Sequence, residues 1–154
     1  MLFRSDGRAE EAASFYVSTF ENSRLGEILR WNEDGPGGRK GDVLTIEFVI
    51  EGQQFTAMNG GPSFRINPAI SFFVSCRTQE EIDRLWDRLL EGGGQAMQCG
   101  WLTDRFGVAW QIVPELLVPW LRDPDPVKAQ RSMQAMMSMV KFDIAALQRA
   151  HDGA

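Results

Sequence analysis

The chain has 154 residues, of which 44% are apolar and 24% charged, with 21 acidic against 16 basic side chains and a net charge of −5. That length fits one domain, or one domain built from two small modules, and the balance excludes long disordered, collagen-like and coiled-coil chains. The acidity and lack of a Lys/Arg run argue against a nucleic-acid or anionic-membrane surface. No apolar run approaches a membrane span and no signal pattern opens the chain, so a cytoplasmic protein is expected.

Asp6-Gly7 marks a turn, and the segment after it reads as a helix. Ala9, Ala12, Ala13, Phe15, Tyr16 and Phe20 supply its apolar positions, and Glu10 and Glu11 sit in the first turn, where the helix dipole favours acids. Asn22-Ser23 ends it. Leu25 to Trp31 reads as a strand, and Asn32 to Gly41, with Pro36, as a glycine-rich loop. Val43 to Ile50 is β-branched and aromatic, Glu51-Gly52 is a two-residue hairpin turn, and Gln54 to Met58 returns until Asn59-Gly-Gly-Pro62 stops it. After a loop over Ser63 to Pro68, Ala69 to Cys76 is again a strand.

Thr78 and Glu81 have capping-box spacing, and Ile82, Leu85, Trp86, Leu89 and Leu90 form the buried face of the helix they open. Gly92-Gly-Gly94 closes that helix. Gln95 to Thr103 is expected to be strand, Asp104 to Gly107 a turn, and Val108 to Val113 a strand. Pro114 to Leu121 suits a short helix. Asp125 and Pro126 are the N-cap and first residue of a longer helix running to about Val140, and a last helix spans about Asp143 to Ala150. A shift of 70 residues places Glu10-Glu11 on Glu80-Glu81, Phe15-Tyr16 on Leu85-Trp86 and Phe20 on Leu90. The order therefore reads as two copies of β-α-β-β-β over residues 1 to 113 and a helical tail. The fold class expected is α+β.

Ala9-Glu-Glu-Ala-Ala-Ser-Phe-Tyr16, Phe55-Thr-Ala-Met-Asn-Gly-Gly-Pro62, Cys99-Gly-Trp-Leu-Thr-Asp104, Phe106-Gly-Val-Ala-Trp-Gln-Ile-Val-Pro114 and Asp123-Pro-Asp-Pro-Val-Lys-Ala-Gln130 carry a resemblance. Together they resemble the PhnB-like branch of the vicinal oxygen chelate superfamily, the glyoxalase and bleomycin-resistance fold group. Members of this branch are often labelled 3-demethylubiquinone-9 3-methyltransferase. The resemblance implies a single glyoxalase-like domain over residues 1–154, with βαβββ modules at about 1–62 and 66–113 and a helical tail at 114–154. Each module would form half of a curved mixed sheet around a pocket, and the protein would be a homodimer. Relatives have a full first strand where this chain has Met1 to Arg4, so that strand is expected to be short or to begin upstream.

The superfamily holds a divalent metal with His, Glu or Gln side chains. Matched to that pattern, this chain has Ala69 in place of histidine, Gln111 in place of glutamate, Ala57 or Asn59 on the first-module hairpin, and no ligand type in Met1 to Phe3. Neutral amides make a weak site, so no metal and no cofactor is expected; Glu47 and Glu115 are the nearest acids. The methyltransferase label lacks its physical basis. Gly92 to Gly94 closes a helix rather than opening one, and no helical pattern follows Asn59-Gly-Gly-Pro62. The lone histidine, His151, lies three residues from the end, where a frayed terminus suits neither a Ser-His-Asp nor a Cys-His arrangement.

The pocket candidates are Gln111, Asn59, Ser71, Phe73 and Trp101. Gln111 would face the pocket with Ala109 and Val113 while Val108, Trp110 and Ile112 pack under helices; it could equally be a structural amide. Asn59 could be only a turn residue. Trp101, Trp110 and Phe64 could be pocket walls or plain core, and Cys76 and Cys99 are expected to be unreactive thiols. Met133, Met136, Met137 and Met139 crowd the tail helix, which would cover the sheet or a partner subunit. The function expected is metal-independent small-molecule binding. The alternatives are a lyase- or isomerase-type enzyme of the superfamily, or a dimeric interaction protein without turnover.

Overall fold

The computed structural model describes residues 2–5, 7–35, 37–61, 63 and 65–154, and only the backbone of residues 2–5. Met1, Asp6, Pro36, Pro62 and Phe64, assigned above to the first strand, a turn, a loop, a strand stop and a pocket wall, lie outside the described residues. The chain divides into two compact units, one up to Ile66 and one from Asn67 onward.

The first unit contains β1 (Leu2–Ser5), α1 (Ala9–Thr19), β2 (Arg24–Arg30), β3 (Val43–Ile50) and β4 (Gln53–Asn59). Its sheet has the order β1-β4-β3-β2, with β1 parallel to β4 and the other pairs antiparallel. Glu51 (φ 46°) and Gly52 (φ 81°) both take positive φ, as the tight turn between right-twisted strands requires. Ala9, Ala12, Ala13, Phe15 and Tyr16 are buried, and their small members let α1 lie close against β3 and β4. Tyr16, Phe48 and Phe55 stack in sequence, with ring centroids 6.1 and 5.3 Å apart.

The second unit contains β5 (Ser71–Cys76), α2 (Gln79–Leu90), β6 (Gln95–Ala96), β7 (Trp101–Thr103) and β8 (Ala109–Pro114), followed by α3 (Leu117–Leu121), α4 (Pro126–Ser138) and α5 (Ile144–Asp152). Its sheet repeats the first: order β5-β8-β7-β6, with β5 parallel to β8. The fold is α+β, two βαβββ modules with a helical extension, and α1 and α2 begin 70 residues apart. Thr78 Oγ1 accepts from Glu81 N at 3.2 Å, as the capping spacing predicts. The Glu81 carboxylate, however, reaches back one residue further and accepts from Arg77 N at 2.8 Å.

Residues 95 to 103 are a hairpin rather than the single strand expected. Cys99 (φ 58°) and Gly100 (φ 75°) reverse the chain between β6 and β7. Gly100 has no room for a side chain, because a Cβ there would lie 2.4 Å from the Phe142 ring. Residues after α4 hold this turn: Cys99 N donates to Met139 O and Gly100 N to Val140 O, both at 2.8 Å. α4 ends at Ser138, just short of the expected Val140. It buries Ser132 but leaves Met133 and Met137 exposed, so the segment around Phe142, rather than the methionine stripe, covers the end of the sheet.

The last helix corrects the expectation for His151, which is ordered and buried at 6% exposure. Its Nδ1 lies 3.0 Å from Ser132 Oγ, its Nε2 lies 3.4 Å from Asp123 Oδ2, and its ring stacks on Trp120. The three residue types of a catalytic triad are therefore brought together after all. Ser132 has 0% exposure, however, so the arrangement ties α4, α5 and the α3–α4 link together and offers no reachable nucleophile.

Candidate functional site

Strand alternation gives the second sheet two unlike faces. Leu102, Trp110 and Ile112 are buried on the side of α2, which contributes Ile82, Leu85, Trp86 and Leu89. The other face carries the residues between them. In register across the strands, Trp101 pairs with Gln111 and Gln111 with Phe73; one row on, Gln95 pairs with Thr103, Thr103 with Ala109, and Ala109 with Ser71. Four of the five candidates thus share one face. Ser71, Trp101 and Gln111 are half-buried, whereas Phe73 is 55% exposed, an unusual position for a bare aromatic ring on a strand.

Gln111 and Ser71 are joined across that face by a hydrogen bond of 2.7 Å between Nε2 and Oγ. The pair keeps at least one unused donor and one unused acceptor. Ala109 and Val113 share the face but are buried. Thr103 and Gln95 also belong to it and were passed over in the sequence, although strand alternation from Trp101 would have found them.

Asn59 belongs to the first unit and does something else. Its Oδ1 accepts from Ala9 N at 3.0 Å, and its Nδ2 donates to Val43 O at 2.9 Å, at 9% exposure. No side chain caps α1 at Arg8, so Asn59 acts as a cap supplied from a distant strand. It is a structural amide, not a free pocket group. Trp110 is likewise core: its Nε1 donates to the buried Asp104 Oδ2 at 2.9 Å.

Among the described residues no three His, Cys, Asp or Glu side chains come together as a metal-binding group. The donors on the second sheet are neutral, an amide and a hydroxyl, and Ala69 precedes β5. Glu47 is exposed on β3 and Glu115 lies 3.6 Å from Arg77 at the surface. This donor set does not fit a firmly held divalent cation, which needs carboxylate, imidazole or thiolate. Cys76 is fully buried at the end of β5; desolvation, then the Glu81 charge, pushes its thiol up to about 12, which leaves it inert at neutral pH. Cys99 is half-buried, with Sγ 3.9 Å from Met137 Sδ.

Two of the grooves among the described residues lie elsewhere. One of about 730 Å³ separates the starts of α2 and α5, but its polar groups are already engaged. Gln79 bonds Asp83, Phe142 O and Ile144 N, and Lys141 pairs with Asp83 at 2.7 Å. The other, of about 410 Å³ beside Glu10, Arg30 and Asp42, includes Asn59. Neither combines exposed aromatic surface with free polar groups.

The sequence profile of the family described as 3-demethylubiquinone-9 3-methyltransferase matches residues 1–113. A search of curated proteins returned no match. Among solved structures, a PhnB protein from Bacillus cereus is 33% identical, with a TM-score of 0.67 over 74% of this chain and 96% of that one. A protein from Pseudomonas aeruginosa is 24% identical, with a TM-score of 0.60 over 74% and 94% of the two chains. The fosfomycin resistance protein FosX from Listeria monocytogenes, in a form complexed with Mn(II) and a dihydroxypropylphosphonic acid, is 13% identical with a TM-score of 0.51. That match covers 73% and 87% of the chains, and the likeness is one of fold.

Proposed function

The chain belongs to the PhnB-like 3-demethylubiquinone-9 3-methyltransferase family of the vicinal oxygen chelate superfamily, and from that premise we propose that it is a metal-independent small-molecule-binding protein. One observation carries the reading. Gln111 stands between Phe73 and Trp101 on a sheet face turned away from its helix and bonds Ser71 one row along, with hydrogen-bonding capacity unused. The buried amide of Asn59 is engaged at both its oxygen and its nitrogen; that of Gln111 is engaged at one end. Binding sites combine apolar walls with a few placed polar groups, and this face has both.

The methyltransferase of the family's description needs a glycine-rich turn leading from a strand into a helix. Gly92 and Gly93 instead close α2 with positive φ. In this reading the protein works as a cytoplasmic homodimer, without nucleic-acid or membrane partners. The charge of −5 supports the absence of polyanion partners. No described helix is long and apolar enough to cross a membrane. Val127, Met133 and Met137, exposed along α4, supply apolar surface suited to a second copy.

The test is a thermal-shift screen of a chemically diverse small-molecule library, repeated with chelator and with Gln111→Ala. Binding should survive chelation and weaken about tenfold in the variant, the equivalent of roughly 1.4 kcal/mol. Hits that bind the variant equally would return Gln111 to a structural role. Hits abolished by chelator would restore a metal. Native mass spectrometry of protein purified without chelator or affinity metal should show a dimer mass free of metal adduct.

A further inference from the structure

Resting on that reading, the chemistry of the face narrows what it can hold. Six side chains in register there, Gln95, Thr103, Ser71, Trp101, Gln111 and Phe73, carry no charge. A bound carboxylate, phosphate or ammonium would be stripped of water beside Trp101 and Phe73 with no opposite charge in register to meet it. Such burial is strongly unfavourable. An uncharged ligand loses little.

Geometry limits the shape. Phe73 and Trp101 flank Gln111 on the two neighbouring strands. At a strand spacing of about 4.8 Å, their attachment points are about 10 Å apart. One flat ring between them needs two contact gaps of about 3.5–4 Å each; two stacked rings need three, or about 10.5–12 Å. The space takes a single layer standing over Gln111. The floor under that layer is Gln111, hydrogen-bonded to Ser71 in the neighbouring row, and the pair has one donor and one acceptor to spare. A compound satisfying both presents an acceptor next to a donor on one edge.

We infer that the ligand is an uncharged, planar, single-layer ring carrying a neighbouring hydrogen-bond donor and acceptor, as in a cyclic amide or a hydroxy-substituted cyclic carbonyl. It would be clasped between Phe73 and Trp101 and read by Gln111 and Ser71.

The experiment uses the full chain and four probes at millimolar concentration. 2-Pyridone has the required edge and is flat. N-methyl-2-pyridone lacks the donor, 2-piperidone keeps the edge but is puckered, and benzoate is flat but anionic. Two-dimensional NMR follows the Gln111 side-chain amide and the Trp101 indole N–H. 2-Pyridone should move both signals saturably. Its affinity should fall about tenfold on N-methylation, in Gln111→Leu, and in Ser71→Ala, the milder change should the first variant fold poorly. Benzoate or 2-piperidone moving the same signals as strongly would overturn the ligand class while leaving small-molecule binding at the face intact. Silence from all four also overturns it, and the reading behind it falls as well only if the wider library leaves the face silent.

Discussion

Asp104 is the polar centre of the second unit, and truncating it should be among the most damaging single changes in the chain. The carboxylate is 3% exposed and accepts from Phe106 N at 2.8 Å, Val108 N at 3.0 Å and Trp110 Nε1 at 2.9 Å. It thereby shapes the turn between β7 and β8 and seats the largest ring beneath the candidate face. In Asp104→Ala, water can replace the acceptor at half-buried Phe106. Val108 and Trp110 are 4% and 3% exposed, so their N–H groups are left without an acceptor where water does not reach. Each such group costs about 1–3 kcal/mol, which places the loss near 4 kcal/mol. That is a large part of a typical domain stability of roughly 5–15 kcal/mol. Asp104→Asn keeps one acceptor oxygen and should lose about half as much. Urea unfolding followed by circular dichroism measures both, with the slope checked for constancy so that the midpoint reports stability. A loss below about 1 kcal/mol in Asp104→Ala would refute the claim that these bonds hold the turn.

Further outcomes follow from other sites. Gly100→Ala must fit a Cβ 2.4 Å from the Phe142 ring at a φ of 75°, and should destabilise by about 2–4 kcal/mol in the same unfolding assay. With its thiol pushed up to about 12, Cys76 has about one ten-thousandth of its population as thiolate at pH 8, so a thiol reagent should leave it unmodified in the native protein and label it in urea. Because the folded value is raised above the ordinary 9.0, its contribution to stability is full below pH 9 and is lost as pH climbs toward 12; Cys76→Ala should flatten that decline. Asp83 titrates below the usual carboxylate range because Lys141, then Gln79, donates to it, so Lys141→Met should move its NMR titration upward.

Local signals were sufficient wherever a structure is decided by residues within a few positions. The Glu51-Gly52 turn, the Thr78 and Asp125 caps, the helix faces and the 70-residue repeat were all legible, because caps and periodicity act over one or two turns of chain. The same alternation that identifies β5 and β8 as strands puts Phe73 and Gln111 on matching faces. It does not say that Ser71 and Gln111, 40 residues apart, meet within 2.7 Å; the parallel register of β5 and β8 decides that. Asn59, at a strand end, and Gln111, mid-strand, are both amides that the sequence allows as pocket groups or as structural ones. The Asn59 amide is engaged by Ala9, which the packing of α1 over the first sheet brings within reach, and by Val43, which the pairing of β3 with β4 brings there.

His151 makes the point from the other side. Position near the end of the chain suggested fraying, yet packing against Trp120 and the hydrogen bond with Ser132 give it a buried place. The hairpin at residues 95 to 103 depends on the chain near Phe142 arriving to close over Gly100, some 40 residues later. The sequence by itself therefore determined the elements and their order, since these follow from short-range propensity and pattern. Tertiary structure decided which polar groups are spent and which remain free, because a hydrogen bond between distant residues exists only once the backbone has brought donor and acceptor within about 3 Å.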